Sequence, residues 1–447
     1  MSDRPTLLRG GTVVTMDGAR RVLERADVLL DGGRIAGIGH GLEAPAGITR
    51  VIDASGCAVM PGLVQTHVHL CQVLFRGMAD DMPLMQWLRE RIWPLEGAHD
   101  ARSLGASARL GAAELLLGGT TAILDMGTVH HQDAVFRAMD ESGIRGISGK
   151  AMMDVGEGVP SSLRESTKES VEESVALAAK WNGASDGRLG YAFAPRFILS
   201  CTEALFREVA GIAKERSLRI HSHVAEHAGE RQEVRAILGK DDVDVLASWG
   251  IAGPHVLLAH GVQLTAAQMK RVARAGTRIA HCPSANLKLA SGIADVVGMR
   301  AAGIVVGLGA DGAPCNNRLD AFTELRSAAL LAKVRREDAA ALGAGDALAM
   351  ATIEGARALG LESEIGSIEV GKKADVIVVD VEGPHALPGG DAVSRLVYAC
   401  TAADVRHDFV GGRWVVNDRA LTTLDLDEVR AMAKHEAQRL HARAGLS

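Results

Sequence analysis

The chain of 447 residues carries 49 Lys and Arg against 55 Asp and Glu, which gives a formal net charge of −6 at pH 7 and a pI near 6.3. This balance excludes a basic surface for nucleic acid and favours a small-molecule partner. The first residues lack the profile of a signal peptide and no apolar run is long enough to cross a bilayer, so we expect a cytoplasmic protein with no membrane partner. The length exceeds what one core fills, which predicts a large barrel and a smaller domain.

Both ends of the chain have the pattern of short strands joined by tight turns. Near the start, apolar segments flank the turn Asp31-Gly32-Gly33-Arg34. A similar pattern of apolar runs and glycine turns returns in residues 366–380 and 408–416. We predict hairpins rather than βα units, and one composite β-sandwich domain formed by residues 1–58 and 366–420.

Between these segments, eight strand-like runs alternate with helical stretches. The runs are 59–66, 121–125, 144–153, 189–197, 219–224, 256–260, 277–281 and 304–311. This alternation predicts a (β/α)₈ TIM-type barrel over residues 59–365, in which chemistry sits at the carboxyl ends of the strands. Residues 421–447 are expected to form a C-terminal helix.

Side chains that bind metals or move protons stand at the ends of five of these runs. They are His67 and His69 at the first, His223 at the fifth, His260 at the sixth, His281 at the seventh and Asp311 at the eighth. They are dispersed in sequence, but the carboxyl ends of the strands meet at one face of such a barrel. We therefore expect these side chains to converge.

The spacing of His67 and His69 places two imidazoles on the same side of an extended strand, as a metal clamp requires. The same spacing also fits an ordinary strand with two satisfied polar side chains. Together with His223 and Asp311, the pair gives three imidazoles and a carboxylate, a set that suits Zn(II) with an open position for water. Glu226 stands where it could handle the proton of that water. A chance grouping of polar core residues is the alternative.

Cysteine takes no part in this pattern. The six cysteines are Cys57, Cys71, Cys201, Cys282, Cys315 and Cys400, and none of them forms a CxxC pair. The spacing predicts buried, reduced thiols rather than a disulfide framework or a cysteine zinc cluster. The absence of cysteine ligands favours a catalytic metal site over a structural one.

The stretch 72–96, which follows the first run, is longer than a typical βα loop. Its apolar residues Leu84, Trp87, Leu88 and Ile92 have helical spacing. The stretch either folds over the barrel mouth as a lid or forms an extra packed helix, and the sequence leaves both alternatives open.

Several motifs resemble those of the amidohydrolase superfamily, in particular its aminohydrolase branch. They are Pro61-Gly-Leu-Val-Gln-Thr-His-Val-His69, His221-Ser-His-Val-Ala-Glu226, Leu258-Ala-His260, the stretch from His281 to Gly292, and Gly307-Leu-Gly-Ala-Asp311-Gly312. That branch contains methylthioadenosine, S-adenosylhomocysteine and 5′-deoxyadenosine deaminases, guanine and 8-oxoguanine deaminases, and s-triazine hydrolases. The resemblance covers nearly the whole chain and implies the barrel and the split β domain predicted above.

The resemblance also implies a metal and a set of roles. One Zn²⁺ per chain, with Fe²⁺ or Mn²⁺ as alternatives, would be held by His67, His69, His223 and Asp311. The run 189–197 contains no lysine, where two-metal relatives carry a bridging one, so a single ion is expected. Glu226 would carry the proton of the water to a ring nitrogen, while His260 and Asp311 orient the nucleophile and stabilise the adduct. A homodimer or homotetramer is expected.

The activity that follows is zinc-dependent hydrolytic deamination of an adenine nucleoside, such as 5′-deoxyadenosine, methylthioadenosine, S-adenosylhomocysteine or adenosine. The alternatives are a deaminase of a guanine, 8-oxoguanine or pterin-type base and an s-triazine amino- or chlorohydrolase. Glu226 favours deamination over chlorine displacement, because an amine leaves after protonation. A metal-binding homologue without catalysis is the alternative of another class.

The expected substrate contacts fall into two groups, and each group indicates a different class of substrate. The full set is Gln72, Trp87, Glu96, Arg196, Phe197 and His281. The stretch 74–96 resembles adenosine-type deaminases, in which the glutamate that matches Glu96 accepts hydrogen bonds from the ribose hydroxyls. Gln72, Arg196 and Phe197 resemble the base-binding residues of guanine deaminase, and adenosine-type enzymes usually carry histidine in place of Arg196. Alternatively, Glu96 and Arg196 are exposed or ion-paired and do not contact the substrate.

Overall fold

The structure, a computed structural model, describes residues 4–44 and 50–446. The expectation about a signal peptide rests in part on residues 1–3, which lie outside these ranges. Among the helices of the described residues, none combines the length and the apolar character needed to cross a bilayer. All six cysteines lie in the described ranges, where they are buried and free, as predicted.

The strands and helices are numbered in chain order. The strands are β1 (Thr6–Val14), β2 (Val22–Asp31), β3 (Arg34–Gly39), β4 (Arg50–Asp53), β5 (Cys57–Pro61), β6 (Leu63–His69), β7 (Thr120–Met126), β8 (Arg145–Gly149), β9 (Ala151–Met152), β10 (Leu189–Pro195), β11 (Arg219–Val224), β12 (Val256–His260), β13 (Arg278–His281), β14 (Val306–Leu308), β15 (Asp311–Gly312), β16 (Val376–Asp380), β17 (Val405–Val410), β18 (Arg413–Asn417) and β19 (Ala420–Leu421). The α-helices are α1 (Leu84–Trp87), α2 (Trp93–Gly97), α3 (Ala101–Leu117), α4 (Gln132–Ser142), α5 (Thr167–Trp181), α6 (Ala184–Gly187), α7 (Glu203–Arg216), α8 (Ala228–Leu238), α9 (Asp242–Ser248), α10 (Ala266–Ala275), α11 (Pro283–Lys288), α12 (Val296–Ala301), α13 (Ala313–Asn316), α14 (Ala321–Arg336), α15 (Ala344–Met350), α16 (Ile353–Leu359), α17 (Ala392–Tyr398) and α18 (Leu426–Ala444).

Eight parallel strands form the barrel, which confirms the predicted (β/α)₈ fold. Their order is β6, β7, β8, β10, β11, β12, β13 and β14, and the short β15 continues the eighth strand and pairs with β6. The two-residue β9 follows β8 and pairs with β10. Helices cover the outside and side chains fill the inside, so a strand such as β7 is buried at every residue. This double burial explains why the barrel strands read as nearly continuous apolar runs.

Close contact between the first and the eighth strand closes the barrel. A Cβ atom on Gly309, between β14 and β15, would lie 2.6 Å from the carbonyl oxygen of His67, so only glycine permits this approach. The side chain of Gln65 bridges the same gap, because its Oε1 accepts from the Ala310 N–H at 2.9 Å and its Nε2 donates to the Leu319 carbonyl at 2.9 Å. The segment of β6 from Gln65 to His67 is therefore held against the chain that follows β14.

The predicted first run, 59–66, covers parts of two strands in different sheets. Strand β5 belongs to the terminal sheet, whereas β6 begins at Leu63 and includes both His67 and His69. A single apolar run does not reveal the break at Gly62 that separates them. We therefore propose a domain boundary after Pro61 in place of the one expected after residue 58.

The second sheet is built from both ends of the chain, as predicted. Its strand order is β19, β18, β17, β16, β5, β1, β2 and β3, with β4 beside β1. Strands β2 and β3 form the predicted hairpin, in which Asp31 pairs with Arg34. Gly32 and Gly33 have φ values of 55° and 77°, as a two-residue type I′ turn requires. The sheet encloses its own apolar core, which gives the small β-sandwich-like domain.

The C-terminal segment ends in the long helix α18, which packs against α3. Asp425 accepts hydrogen bonds from the backbone N–H groups of Asp427 and Glu428 and so caps the first turn. Nε2 of His441 lies 3.0 Å from the carbonyl oxygen of Leu74, close to the mouth of the barrel. We propose that this helix belongs with the barrel.

A buried ion pair joins the barrel to the terminal sheet. Nε and Nη2 of Arg145, the first residue of β8, donate to the two carboxylate oxygens of Asp375 at 2.6 and 2.9 Å. Asp375 precedes β16 and also accepts the N–H of Gly411 at 2.7 Å. Both side chains are almost fully buried, so neither can turn to water if its partner is lost.

We predict that Asp375→Ala destabilises the protein by about 3–5 kcal/mol, because removing one partner of a buried pair leaves an uncompensated charge. The expected result is a clearly lower urea midpoint. The control is Glu172→Ala, which breaks the exposed Lys168–Glu172 pair at 3.8 Å and should leave the midpoint unchanged. Equal midpoints for the two variants would show that the buried pair does not stabilise this junction.

Candidate active site

Three of the barrel strands end in residues with a left-handed backbone. Ala225 after β11, His260 at the end of β12 and Asp311 in β15 have φ values of 49°, 75° and 64°. For residues other than glycine this conformation costs on the order of 1–3 kcal/mol and persists only where the surroundings impose it. The side chains of His260 and Asp311 line a cavity at this end of the barrel, together with Glu226, which follows Ala225.

The histidines and the aspartate predicted as metal ligands lie together at the carboxyl ends of the strands. Nε2 of His67 and of His69 are 3.2 and 3.3 Å from Oδ1 of Asp311. The ligand atoms of His67, His69 and His223 lie within 4.8 Å of one another, and so do those of His67, His260 and Asp311. These five residues are called the histidine cluster below.

Each imidazole of the histidine cluster has a partner outside it at Nδ1. The contacts are His67 to Nε2 of His221 at 2.7 Å, His69 to the Met126 carbonyl at 2.8 Å, His223 to the Arg196 carbonyl at 2.7 Å, and His260 to Oδ1 of Asn286 at 2.9 Å. A carbonyl or amide oxygen at Nδ1 requires the proton on that nitrogen. The lone pair is then on Nε2, which faces the interior of the cluster.

His221 completes this arrangement and was not among the predicted site residues. Its Nδ1 contacts the carbonyl of Leu257 at 3.0 Å, so its Nε2 is left to accept the Nδ1–H of His67. The spacing His221-x-His223 repeats that of His67-x-His69 and could have indicated it. The motif does not show which histidine of the pair faces the cluster and which one supports it.

Burial keeps the imidazoles neutral. It lowers the pKa of His69 to about 3 and the pKa of His223 well below its ordinary value. Burial by itself raises the pKa of Asp311, but the neighbouring histidines, above all His67, hold this pKa well below its ordinary value. Nε2 of His67 is buried with no hydrogen-bond partner among the described residues. Neutral imidazoles, an ionised carboxylate and an unpartnered ring nitrogen fit a divalent metal ion.

Glu226 lies beside the cluster without joining it. Its Oε2 is 3.4 Å from Nε2 of His260, which in turn is 3.8 Å from Oδ2 of Asp311. Burial, followed by the negative charge of Asp311, raises the pKa of Glu226 well above its ordinary value. The carboxyl group therefore holds a proton readily, in contrast to the ionised Asp311 a short distance away.

The cavity above the cluster is small, with a volume of about 30 Å³. Its lining residues are His69, Gln72, Leu84, Trp87, Leu88, Arg196, Phe197, His223, Glu226, His260, Leu289 and Asp311. Four of the six expected substrate contacts are thus in the lining. Glu96 and His281 are buried but do not line the cavity. Leu84, Leu88 and Leu289 were not predicted, because an apolar side chain in a sequence gives no sign of a substrate contact.

Glu96 lies behind the cavity wall in a dense hydrogen-bond network. Its Oε1 accepts from Nε2 of Gln72 at 2.8 Å and from Nη2 of Arg196 at 3.0 Å. Its Oε2 accepts from Nη1 of Arg196 at 2.5 Å and from Oγ1 of Thr128 at 3.4 Å. Although burial raises the pKa of Glu96, the Arg196 guanidinium holds it below its ordinary value. The pair is therefore ionised, and the acceptor sites of Glu96 are all in use.

The stretch 72–96 lies over the mouth of the barrel. A 3₁₀ turn over Leu70–Phe75, helix α1, a π-helical turn over Leu88–Ile92 and helix α2 make up most of it. Leu84, Trp87 and Leu88 face the cavity, and all three are almost fully buried. The stretch thus covers the cavity and is also packed. The two alternatives, a cover over the barrel mouth and an extra packed helix, are therefore compatible. Movement of this cover stays a prediction.

Comparison with known proteins agrees with this geometry. Residues 58–415 match the model of the amidohydrolase family. A 5-methylthioadenosine/S-adenosylhomocysteine deaminase of Symbiobacterium thermophilum is 42% identical over 97% of this chain and 98% of its own length. A 5′-deoxyadenosine deaminase of Methanobrevibacter smithii is 37% identical over 98% of this chain and 99% of its own length.

A crystal structure of an adenosine deaminase from Xanthomonas campestris with bound zinc superposes with a TM-score of 0.92 at 32% identity, and 98% of each chain is covered. These relatives share the fold and nearly the full length of this chain. The resemblance seen in the motifs is confirmed: the chain belongs to the amidohydrolase family and is a metal-dependent aminohydrolase.

Proposed function

We propose that the protein is a zinc-dependent aminohydrolase that hydrolytically deaminates an adenine nucleoside and releases ammonia. The observation that carries the proposal is the buried carboxyl group of Glu226 beside the histidine cluster. Deamination needs a group that moves protons to the ring and to the leaving amine, and Glu226 is suited to that task. The names of the full-length relatives support an adenine nucleoside as the substrate.

In this proposal, His67, His69, His223 and Asp311 hold one divalent ion per chain, Zn²⁺ first and Fe²⁺ or Mn²⁺ as alternatives. When bound, such an ion acts as a Lewis acid that makes water nucleophilic at neutral pH. The outward Nδ1 contacts support this assignment, because they direct the Nε2 lone pairs of His67, His69 and His223 inward.

Glu226 takes the proton of the attacking water and passes it to the ring nitrogen beside the attacked carbon, which makes that carbon more electrophilic. His260, 3.4 Å from Glu226 and held by Asn286, orients the oxygen that enters, because its Nε2 accepts a hydrogen bond from the O–H of that oxygen. Asp311 orients the same oxygen from the other side. A second proton transfer through Glu226 lets the amine leave as ammonia.

The network around Glu96 bears on the substrate. For Glu96 to bind ribose, the two hydroxyls must replace Gln72, Arg196 or Thr128 as donors, because its acceptor sites are in use. Gln72, Arg196 and Phe197 line the cavity, and Oε1 of Gln72 has no partner among the described residues. This observation favours a second candidate function, deamination of a guanine, 8-oxoguanine or pterin-type base. A triazine substrate is compatible with the same residues.

The first test concerns the metal. We predict about one tightly bound divalent ion per chain, and His69→Ala should lose both the ion and turnover, because one of the ligands is removed. Elemental analysis of the purified variants measures this directly. His40→Ala, which changes an exposed histidine of the terminal sheet, is the control and should keep both. Full activity in metal-free protein would contradict the proposal.

The second test separates proton transfer from metal binding. Glu226→Gln should keep the metal and lose at least ~10²-fold in kcat, the scale expected for a positioned acid and base. Glu215→Gln, an exposed position on α7, should behave as the wild type. If the metal is lost in parallel with the activity, Glu226 is a ligand and its proposed role is wrong.

The third test distinguishes the two substrate classes. If Glu96 binds the ribose diol, Glu96→Ala should lower kcat/KM for 5′-deoxyadenosine by about 10²-fold, since two hydrogen bonds to a charged group are lost. A 2′,3′-dideoxy nucleoside has no diol and is the matched control, so on it the variant and the wild type should be nearly equal once stability is normalised. The second candidate, a base deaminase, would be favoured by two results together. The wild type would prefer guanine or 8-oxoguanine, and Glu96→Ala would lower kcat/KM equally for all nucleosides.

A further inference from the structure

The orientation of Glu226 depends on the conformation of the residue before it. Ala225 follows the last residue of β11 and adopts the left-handed region with φ 49°. An alanine takes this conformation only at a cost on the order of 1 kcal/mol or more. Without an outside constraint, the backbone would relax to an extended or right-handed form and Glu226 would point elsewhere.

Two hydrogen bonds hold the peptide groups of Ala225 in place. Its N–H donates to Oδ2 of Asp242, and its carbonyl accepts the N–H of Gln263 at 2.8 Å. Gln263 lies in the loop after β12, whereas Asp242 is the first residue of α9. Of the two contacts, the one from Asp242 is made by a side chain and can be removed by substitution.

Asp242 is almost fully buried, which is unusual for an aspartate. Its side chain is 1% exposed and no arginine or lysine pairs with it among the described ion pairs. Instead, its carboxylate accepts two backbone N–H groups, those of Ala225 and, at 2.7 Å, of Val243. Buried aspartates are rare unless their oxygens accept hydrogen bonds. Here both oxygens do so, and the bond from Ala225 fixes the loop that carries Glu226.

Glu230, on the first turn of α8, lies beside Asp242. Burial, and next the carboxylate of Asp242, raises the pKa of Glu230 well above its ordinary value. Burial also raises the pKa of Asp242, while the N–H groups of Ala225 and Val243 oppose that rise because they stabilise the ionised form. The hydrogen bond from the Ala225 N–H is strongest when the carboxylate of Asp242 is ionised.

We propose that Asp242 is a positioning residue for the reaction: it holds Ala225 in its left-handed conformation and thereby directs the carboxyl group of Glu226 at the reacting atoms. Asp242 does not line the cavity, so it acts through Ala225 and Glu226. The inference rests on the proposed role of Glu226 and adds the element that sets its geometry.

The test begins with Asp242→Ala in the metal-loaded enzyme. We expect kcat to fall by between about 10-fold and 10²-fold, the effect of a misplaced catalytic group, with KM and metal content changed far less. The control is Asp244→Ala on the same helix, whose partner is Arg271 at 2.6 Å and which should leave kcat unchanged. A kcat for Asp242→Ala equal to that of the control would overturn the proposal.

Two further variants exclude a merely structural effect. In an Ala225→Gly background, Asp242→Ala should cost less than about threefold in kcat, because glycine adopts positive φ without strain. In a Glu226→Gln background, Asp242→Ala should cost nothing more, since the group it positions is already disabled. Equal losses in all three backgrounds would overturn the proposal. Full activity of Glu226→Gln alone would instead refute the proposed function, so the two failures are distinguishable.

Discussion

A hydrogen bond at Nδ1 of each cluster histidine is the constraint on which the rest of the site depends. It fixes the tautomer of four imidazoles at once and so decides that the Nε2 lone pairs face one point. The acceptors are the backbone carbonyls of Met126 in β7 and Arg196 after β10, and the side chains of His221 in β11 and Asn286 in α11. Their positions follow from the way the strands of the barrel are arranged. The metal-binding geometry is therefore a property of the whole sheet.

The carboxyl groups in and around the site differ in pKa and in the contacts they make, and the groups that face each of them explain the differences. Asp311 faces imidazoles and Glu96 faces a guanidinium, so both are held ionised despite burial. Among residues 4–44 and 50–446, Glu226 has no guanidinium or ammonium partner, and burial raises its pKa. Asp242 accepts two backbone N–H groups and acts on chain geometry. Environment alone thus gives these acidic side chains different charges and contacts, as the proposed ligand and proton-transfer roles require.

The sequence predicted the barrel, the composite β domain and the convergence of the cluster, because strand periodicity and the position of polar residues at strand ends are local signals. It did not predict the pairing of Glu96 with Arg196, which are separated by 100 residues. Long charged side chains are mostly exposed, so nothing local indicates that two of them are buried together. The division of the run 59–66 between two sheets was missed because both strands are apolar.

The composite origin of the terminal sheet has a consequence for synthesis on the ribosome. Strand β5 pairs with β16, in a register that joins Pro61 to Val376, so one of its edges has no partner until most of the chain has been made. The barrel lies wholly between the two strands in sequence, and its folding brings the later strand back to the earlier one. Until then, β5 presents an open, apolar strand edge of the kind that promotes aggregation. Formation of the barrel, which brings β16 back to β5, is therefore the step that closes this edge.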